Sequence, residues 1–332
     1  MLEAIIIMLG ISFVLYTVLG GADFGAGIIE TFAGEKGEHT ISKAIAPVWE
    51  ANHVWLILAV VILFTGFPLV YSSLSLVLHI PLMLVLLGII CRGTAFTFRH
   101  YDIPDDISHK YYSRFFKLSS FLTPMFLGIT LGAMILGRIT FDFSAGFYAM
   151  FIRPWVNFFC LMMGVFSTSL FAYIAAVFLT GEARTESERI RYIRLMRTAL
   201  AFTIFFSILV FVAANIEGHD LTKAFFNSTL SIVALLLAIA LIPVILAFVN
   251  SRRGLQLRIA TGLQVTAIIT GWFAIQYPVL INVEDGTHLT FINTRAPDAT
   301  LLQLLIALLA GLLLVIPGFF YLFRIFKRTD DR

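Results

Sequence analysis

Long apolar runs alternate with short polar segments along the whole chain. Each run has about the length that a helix needs to cross the ~30 Å hydrocarbon core of a bilayer. None shows the residue-by-residue alternation of a membrane barrel strand. The pattern predicts an all-α polytopic membrane protein with nine transmembrane helices, at residues 4–30, 49–70, 74–97, 118–138, 155–180, 198–216, 230–250, 259–280 and 300–323.

The nine predicted helices divide into two four-helix bundles plus one C-terminal helix. The first bundle would occupy residues 1–140 and the second residues 141–298. The ninth helix, with a cytoplasmic tail, would occupy residues 299–332. The polar segments between the helices are short, so no soluble domain is expected.

Composition and charge agree with a membrane protein. The chain is 59% hydrophobic and 13% charged, whereas a soluble domain carries about twice that charge. Most of the 23 lysines and arginines fall in the loops on one predicted side of the membrane. The positive-inside rule makes that side the cytoplasm, which places the N-terminus outside and the C-terminus inside. The sequence has no basic stripe of the kind that binds nucleic acid.

The core spans of the fourth to ninth predicted helices contain no Asp, Glu, His, Lys or Arg, whereas the first three helices contain several such side chains. A carboxylate in hydrocarbon is costly and is usually retained for a task such as moving protons, ions or substrate. Asp23, Glu50, His53 and Arg92 all lie toward the predicted cytoplasmic ends, within a layer of roughly 10 Å. Any polar chemistry inside the membrane therefore belongs to the first bundle.

These four residues have the arrangement that a cytoplasmic proton entrance needs. Glu50 and His53 are three residues apart and share a helix face, and Arg92 is a natural charge partner for a carboxylate such as Asp23. Titratable groups that reach inward beside a cation can pass protons. We assign Asp23, Glu50 and His53 to a proton pathway and Arg92 to the role of charge partner.

Other interpretations of the same residues stay open at this point. Glu50, near a helix start, could complement the helix dipole and do nothing more. Asp23 and Arg92 could form a purely structural buried pair. His53 could be a haem or metal ligand, although no second histidine lies at a matching depth and the sequence has no Cys/His cluster. No metal site is therefore predicted.

Gly21 and Gly25 lie on either side of Asp23 at a spacing of four residues. Small residues at this spacing allow two membrane helices to approach closely. We predict that these glycines serve helix packing.

Three segments together resemble subunit II of the cytochrome bd-type quinol oxidases. They are GGADFGAGI in the first predicted helix, PVWEANHVWLI at the start of the second and CRGTAFTFR at the end of the third. The resemblance extends over the nine-helix layout and the whole length, and its first two motifs are specific when taken together. The chain is on the short side for the family, which favours the cyanide-insensitive branch.

The resemblance implies a haem-free subunit of a terminal respiratory quinol:oxygen oxidoreductase in a bacterial cytoplasmic membrane. The expected partner, subunit I, would oxidise quinol and hold haems b558, b595 and d, or a b-type variant. Subunit II would stabilise subunit I and contribute the cytoplasmic proton route and oxygen access for the reduction of O2 to water. The chain alone is not expected to be catalytic. Membrane lipids, a structural quinone and a small single-helix accessory subunit are further expected partners.

Individual positions follow the family pattern in part. Asp23 matches the family's acid in the first helix, and Trp55 matches the tryptophan near the proposed oxygen path. Trp49 and Asn52 match their places in a motif that reads W-D-G-N-Q-V-W in many members. These three residues are therefore assigned to the motif that serves oxygen access.

The chain departs from that motif at three positions. Glu50 replaces the aspartate and keeps its proton-carrying chemistry with one more methylene. Ala51 replaces the glycine, and His53 replaces the glutamine. The histidine adds a second titratable group beside Glu50, which the family pattern lacks.

Two other functions compete with this interpretation. A proton-coupled secondary transporter would show inverted repeats, broken helices and polar groups near the bilayer midplane, whereas the polar cluster here lies near the predicted cytoplasmic face. A purely structural membrane subunit would use its acids only for packing. The pH dependence of activity in acid variants separates that function from a proton route.

Overall fold

The computed structural model describes residues 1–34, 38, 40–42, 52–101, 107–183 and 185–329. The secondary structure within these ranges is almost entirely helical. Its elements are α1 Leu2–Leu15, α2 Gly21–Ala33, α3 Val54–Gly66, α4 Pro68–Val77, α5 His79–Tyr101, α6 Ile107–Leu136, α7 Gly146–Phe151, α8 Phe158–Glu182, α9 Glu186–Ile216, α10 Leu221–Asn227, α11 Thr229–Asn250, α12 Gly254–Gln276, β1 Val279–Ile281, β2 Leu289–Thr290 and α13 Asp298–Thr329.

Eight helices in the described ranges are long and apolar enough to cross a membrane. The first of these, Leu2–Ala33, joins α1 and α2 through a π-helical turn at Tyr16–Gly20. The other seven are α5, α6, α8, α9, α11, α12 and α13. The prediction of an all-α polytopic membrane protein is therefore confirmed.

A bent pair of helices stands where the second predicted span lies. The axes of α3 and α4 meet at 112°, and the pair counts as a ninth span only if both helices belong to it. The predicted boundaries were wrong here, because the 49–70 helix ends at Gly66 and the 74–97 helix begins at His79. Pro68, the first residue of α4, explains the break. Proline lacks the N–H that would continue α3 but fits the first turn of a new helix.

Contacts from the second half of the chain hold this bend in place. Phe67 is fully buried and packs edge-on against Phe291, with ring centres 5.2 Å apart. The backbone N–H of Ala296 donates to the carbonyl of Gly66 at 2.8 Å, which satisfies a group that α3 leaves free at its end.

The core centres on α8, the most buried of the spanning helices. It packs against α2, α6 and α9. Glycines allow the closest of these approaches: a Cβ on Gly128 of α6 would lie 2.4 Å from the carbonyl oxygen of Met163. Helix α8 thus contacts helices of the predicted 1–140 segment as well as its own. The division into 1–140, 141–298 and 299–332 stays a prediction.

Ion pairs tie helix ends together on one face of the bundle. Arg138, just after α6, lies 2.6 Å from Glu217, just after α9. The same glutamate accepts a hydrogen bond from the N–H of Phe158 at the start of α8. These three helix ends therefore share one face, as alternating spans require. Which face is cytoplasmic stays a prediction.

Candidate functional site

The site is built on α2, α5 and α6, where buried acidic and basic side chains meet. In the first pair, Nη2 of Arg92 donates to Oδ1 of Asp23 at 2.7 Å and to the Asp23 backbone carbonyl at 3.0 Å. Both side chains are 1% exposed. The guanidinium also lies 4.8 Å from the ring centre of Phe24. We call this pair the first rung.

A second buried pair lies further along the same two helices. Nη1 of Arg99 donates to Oε1 of Glu30 at 2.8 Å, with both side chains almost fully buried. Nζ of Lys117, on α6, lies 3.5 Å from the same carboxylate oxygen. We call Glu30 and Arg99 the second rung. Sequence reasoning placed Arg99 and Lys117 among the cations of a cytoplasmic loop and missed this pair.

The two rungs have the same spacing on both helices. Glu30 follows Asp23 by seven residues, and Arg99 follows Arg92 by seven residues. Seven residues of α-helix rise about 10 Å. Because the steps are equal and run in the same direction, α2 and α5 lie parallel at this place, as the first and third spans of an alternating bundle should.

Phe116 of α6 lies between the two rungs. Its ring centre is 5.1 Å from Cζ of Arg92 and 4.4 Å from Cζ of Arg99. Both guanidiniums are therefore within the range of a cation–π contact with one ring. The ring places apolar surface between the two cations.

Glu38 extends the second rung toward the surface. Its Oε1 accepts from the Ser113 hydroxyl at 2.8 Å, lies 3.1 Å from Nε2 of His109 and lies 3.5 Å from Nη1 of Arg99. Burial alone would raise the pKa of Glu38. The hydrogen bond from Ser113 and the charges of Arg99 and Lys117 together hold that pKa below its usual range.

A π-helical turn precedes Asp23. Gly20 ends the turn, and a Cβ there would lie 2.9 Å from the ring of Tyr16, so glycine allows that ring to lie along its own helix. The Tyr16 hydroxyl is buried and has no hydrogen-bond partner among the described residues. Single π turns inside α-helices often mark functional sites.

The comparisons with known proteins bear on the family and the fold of the chain. The family described as cytochrome bd terminal oxidase subunit II matches residues 1–326. The chain belongs to this family. The resemblance seen in its motifs is therefore confirmed.

Two relatives of this subunit II and one solved structure align with it over nearly their whole length. Cytochrome bd ubiquinol oxidase subunit 2 of Bacillus subtilis is 24% identical over 97% of this chain and 94% of the relative. The same organism's putative cytochrome bd menaquinol oxidase subunit II is 24% identical over 98% and 95%. A chain of the bd oxidase structure from Geobacillus thermodenitrificans matches with a TM-score of 0.80 at 22% identity, covering 98% of both chains. This last match supports the fold.

Family membership makes the chain a membrane subunit of a terminal quinol oxidase. The family implies a complex that contains haem and a partner subunit I. Within the described ranges, this subunit II has no group of three or more His, Cys, Asp or Glu side chains that could hold a metal ion.

The structure brings one further predicted pathway residue to the first rung. The ring of His53, just before α3, lies 5.7 Å from Phe24 and 6.4 Å from Tyr16. Nδ1 of His53 has no hydrogen-bond partner among the described residues. Phe24 thus touches both Arg92 and His53. Glu50 lies outside the described residues.

Two of the remaining motif residues lie inside the protein. Asn52 and Trp55 are buried, at 5% and 7% exposure. The Trp55 ring stacks on Phe319 of α13 at 5.9 Å, and it belongs to an apolar cluster with Tyr16 and Phe171. Trp49 lies outside the described residues.

The two predicted packing glycines face α8. A Cβ on Gly25 would lie 1.9 Å from the carbonyl oxygen of Phe171, and a Cβ on Gly21 would lie 3.2 Å from the Phe171 ring. Gly25 therefore stands at a backbone-to-backbone contact that excludes any side chain.

Proposed function

We propose that this chain is the haem-free subunit of the oxidase, that it stabilises subunit I, and that it contributes the cytoplasmic proton route and oxygen access for the reduction of O2 to water. The observation that carries the proposal is the buried Asp23–Arg92 pair. Burying two charges is expensive, and apolar residues of similar volume often stabilise a protein as well or better. A chain that keeps such a pair inside its membrane helices has a use for the carboxylate.

Several atoms around the pair are suited to proton transfer. Oδ2 of Asp23 is buried and has no hydrogen-bond partner among the described residues, and the same is true of Nε and Nη1 of Arg92. Such atoms are usually satisfied by ordered water. His53 and Tyr16 add two further titratable groups at the same level. In the proposed route, protons pass from Glu50 and His53 to Asp23, while Arg92 holds the aspartate in place.

Oxygen access is assigned to the motif at the start of the second span. Trp55 and Asn52 are buried. Trp55 clusters with Phe24, which contacts Arg92 of the first rung, and Trp49 stands one residue before Glu50 in the sequence. An apolar, aromatic lining around Trp55 suits the passage of a small apolar gas. The route would end at a haem, and subunit I is the proposed holder of every haem in the complex.

The proposed direction of proton uptake also gives the route an energetic role. A proton taken from the cytoplasm for water formation separates charge across the membrane when quinol releases its protons outside. Each such charge stores about 2.3 kcal/mol per 100 mV of membrane potential. This requires the cytoplasmic side to be the one that carries Glu30 and Glu50, which the positive-inside rule favours.

The first test is the polypeptide and haem content of the purified complex. The tagged chain, purified in mild detergent from cells that make all subunits, should arrive with a larger polypeptide and with haem bands in a reduced-minus-oxidised spectrum. A colourless, solitary chain would contradict the proposal and favour a transporter.

The second test is turnover. Glu50→Gln should slow oxygen reduction in complexes with normal haem content, and Asp23→Asn should slow the complexes that still assemble. Glu182→Gln is the matched control, because Glu182 pairs with Arg258 at a partly exposed helix end and belongs to neither rung. Full turnover of haem-replete complexes carrying both Glu50→Gln and Asp23→Asn would contradict the proton route.

A further inference from the structure

Three buried oxygens lie along one side of the two rungs without a hydrogen-bond partner among the described residues. They are Oδ2 of Asp23, Oε2 of Glu30 and Oγ of Ser120. Ser120 is completely buried, and Glu30 is 1% exposed. Leaving buried polar atoms unsatisfied is costly, so such atoms usually bind ordered water.

The packing of α6 on α2 places Ser120 between the two carboxylates. A Cβ on Gly27 would lie 2.2 Å from the Ser120 hydroxyl, so that hydroxyl lies against the α2 backbone at Gly27. Gly27 follows Asp23 by four residues and precedes Glu30 by three, which puts all three on one helix face. The hydroxyl therefore lies about 5 Å along the axis from each rung. One bridging water on either side would close such a gap.

The neighbouring serine shows that this geometry is particular to Ser120. The hydroxyl of Ser119 donates to the Phe115 carbonyl of its own helix at 2.6 Å. Its hydrogen-bonding capacity is used locally. Ser120 instead points at the adjacent helix, where its hydroxyl lies against Gly27 of α2.

We propose that Ser120 connects the second rung to the first and so completes a second proton branch, which begins at Glu38 and joins the route proposed above at Asp23. The inference rests on that proposed function. It adds a path that does not pass through Glu50 or His53.

The start of the branch has access to solvent. The side chains of Glu38, His109 and Lys117 are 21%, 19% and 30% exposed. Arg99 contacts Glu38 and Glu30 through the same nitrogen, Nη1. It thereby fixes the two carboxylates side by side, and it remains a positioning residue that carries no proton itself.

The transfer through Ser120 leaves the side chain unchanged. A water on the Glu30 side gives a proton to Oγ while the original hydroxyl proton passes to a water on the Asp23 side. One O–H bond forms and one breaks at the serine, and no electrons are exchanged. Reorientation of the hydroxyl then restores the starting state.

The experiment compares Ser120→Ala with Ser119→Ala, each made with and without Glu50→Gln in the whole oxidase complex. Oxygen-reduction turnover per haem, complex yield and the solvent isotope effect on turnover are measured. We expect Glu50→Gln alone to lower turnover but to leave a measurable part of it. Ser120→Ala should lower that remaining turnover about tenfold or more, and its effect should be smaller when Glu50 is present. Ser119→Ala should leave turnover unchanged both with and without Glu50→Gln.

Each outcome decides the question. Equal turnover of Glu50→Gln with and without Ser120→Ala would overturn the second branch, and so would complete loss of turnover in Glu50→Gln alone. Ser120→Ala could also lower turnover by the same factor with and without Glu50→Gln, reduce the yield and leave the isotope effect unchanged. That result would show that Ser120 has a structural role, and it would overturn the second branch too. These results decide the second branch alone. The proton route proposed above fails instead if haem-replete complexes that carry both Glu50→Gln and Asp23→Asn turn over fully.

Discussion

The guanidinium of Arg92 donates to the carboxylate of Asp23 at 2.7 Å, from a helix 69 positions further along the chain. Neither side chain is exposed by more than 1%. Each charge is therefore compensated mainly by the other, because bulk solvent does not reach them. Removing one partner leaves the other charged group buried without compensation, and this costs far more than removing both.

We expect Asp23→Asn or Arg92→Leu to lower the yield and haem content of the complex at least as much as its turnover. The loss of stability should be about 3–5 kcal/mol for either single variant. The double variant Asp23→Asn/Arg92→Leu should assemble better than Arg92→Leu alone. Complex yield, haem per complex and thermal unfolding measure these effects.

Asp220→Asn is the control for the buried pair. It breaks an ion pair with Lys223 in which both side chains are about three-quarters exposed, and such pairs contribute at most about 1 kcal/mol. If either single variant of the buried pair left yield and haem content at the level of this control, the stabilising role of the pair would be wrong.

Gly25→Ala should separate α2 from α8. The new methyl group would meet the Phe171 carbonyl oxygen at 1.9 Å, and backbone atoms on both sides leave no flexible side chain to yield. Overpacking of this kind costs about 1–3 kcal/mol or more. Gly10→Ala is the matched control, since nothing lies within 4 Å of its Cβ position. Thermal unfolding of the detergent-purified complex should show a lower midpoint for Gly25→Ala alone.

Glu217→Ala should destabilise the face where α6, α8 and α9 end. The change removes both the pair with Arg138 and the acceptor for the Phe158 N–H. Loss of a helix cap costs about 1–2 kcal/mol. Glu284→Ala breaks the half-exposed pair with Arg153 instead, and it should cost less. Equal unfolding midpoints for the two variants would contradict the capping role.

Glu38→Gln should loosen the helical turn at residues 40–42. Arg99 binds both Glu38 and the Ser42 hydroxyl, so the carboxylate helps hold this turn against α5 and α6. Amide hydrogen exchange of residues 40–42 should rise in Glu38→Gln and stay unchanged in the control Glu182→Gln.

The same turn should also be sensitive to acid. Because the pKa of Glu38 is lowered in the folded chain, its contacts contribute fully at pH values above the ordinary glutamate range. They are lost as the pH falls below that range. Exchange that is equal in the two variants at neutral pH would show that Glu38 does not hold the turn.

Hydropathy alone predicted the helical membrane class, because the apolar runs are long and the loops between them short. The exception at Gly66 depends on a local residue and on a distant contact. Proline at position 68 is equally compatible with a loop after a straight helix and with the first turn of a new one. The buried contact between Phe67 and Phe291 favours the new helix. Because these two residues are far apart in the sequence, the local hydropathy pattern does not reveal their contact.

The candidate site was predictable in part. A lone arginine within the third predicted helix identified Arg92 as a charge partner before any contact was known. Arg99 was missed because it follows the predicted helix end at residue 97, where arginines normally face lipid headgroups. The available signal was the matched step of seven residues from Asp23 to Glu30 and from Arg92 to Arg99. Ser120 had no signal, since an uncharged serine in a helix carries no pattern of its own.

The equal spacing of the rungs also limits how α2 and α5 can assemble. Two apolar helices in lipid can slide past one another at little cost, because every register buries similar surface. A slip of seven residues here would bring Glu30 opposite Arg92 and preserve one pair. It would also leave Asp23 and Arg99 buried without partners, at a cost of several kcal/mol. The two rungs together therefore allow a single register of α2 against α5. By fixing this register, they also fix the depth at which Asp23 lies in the membrane.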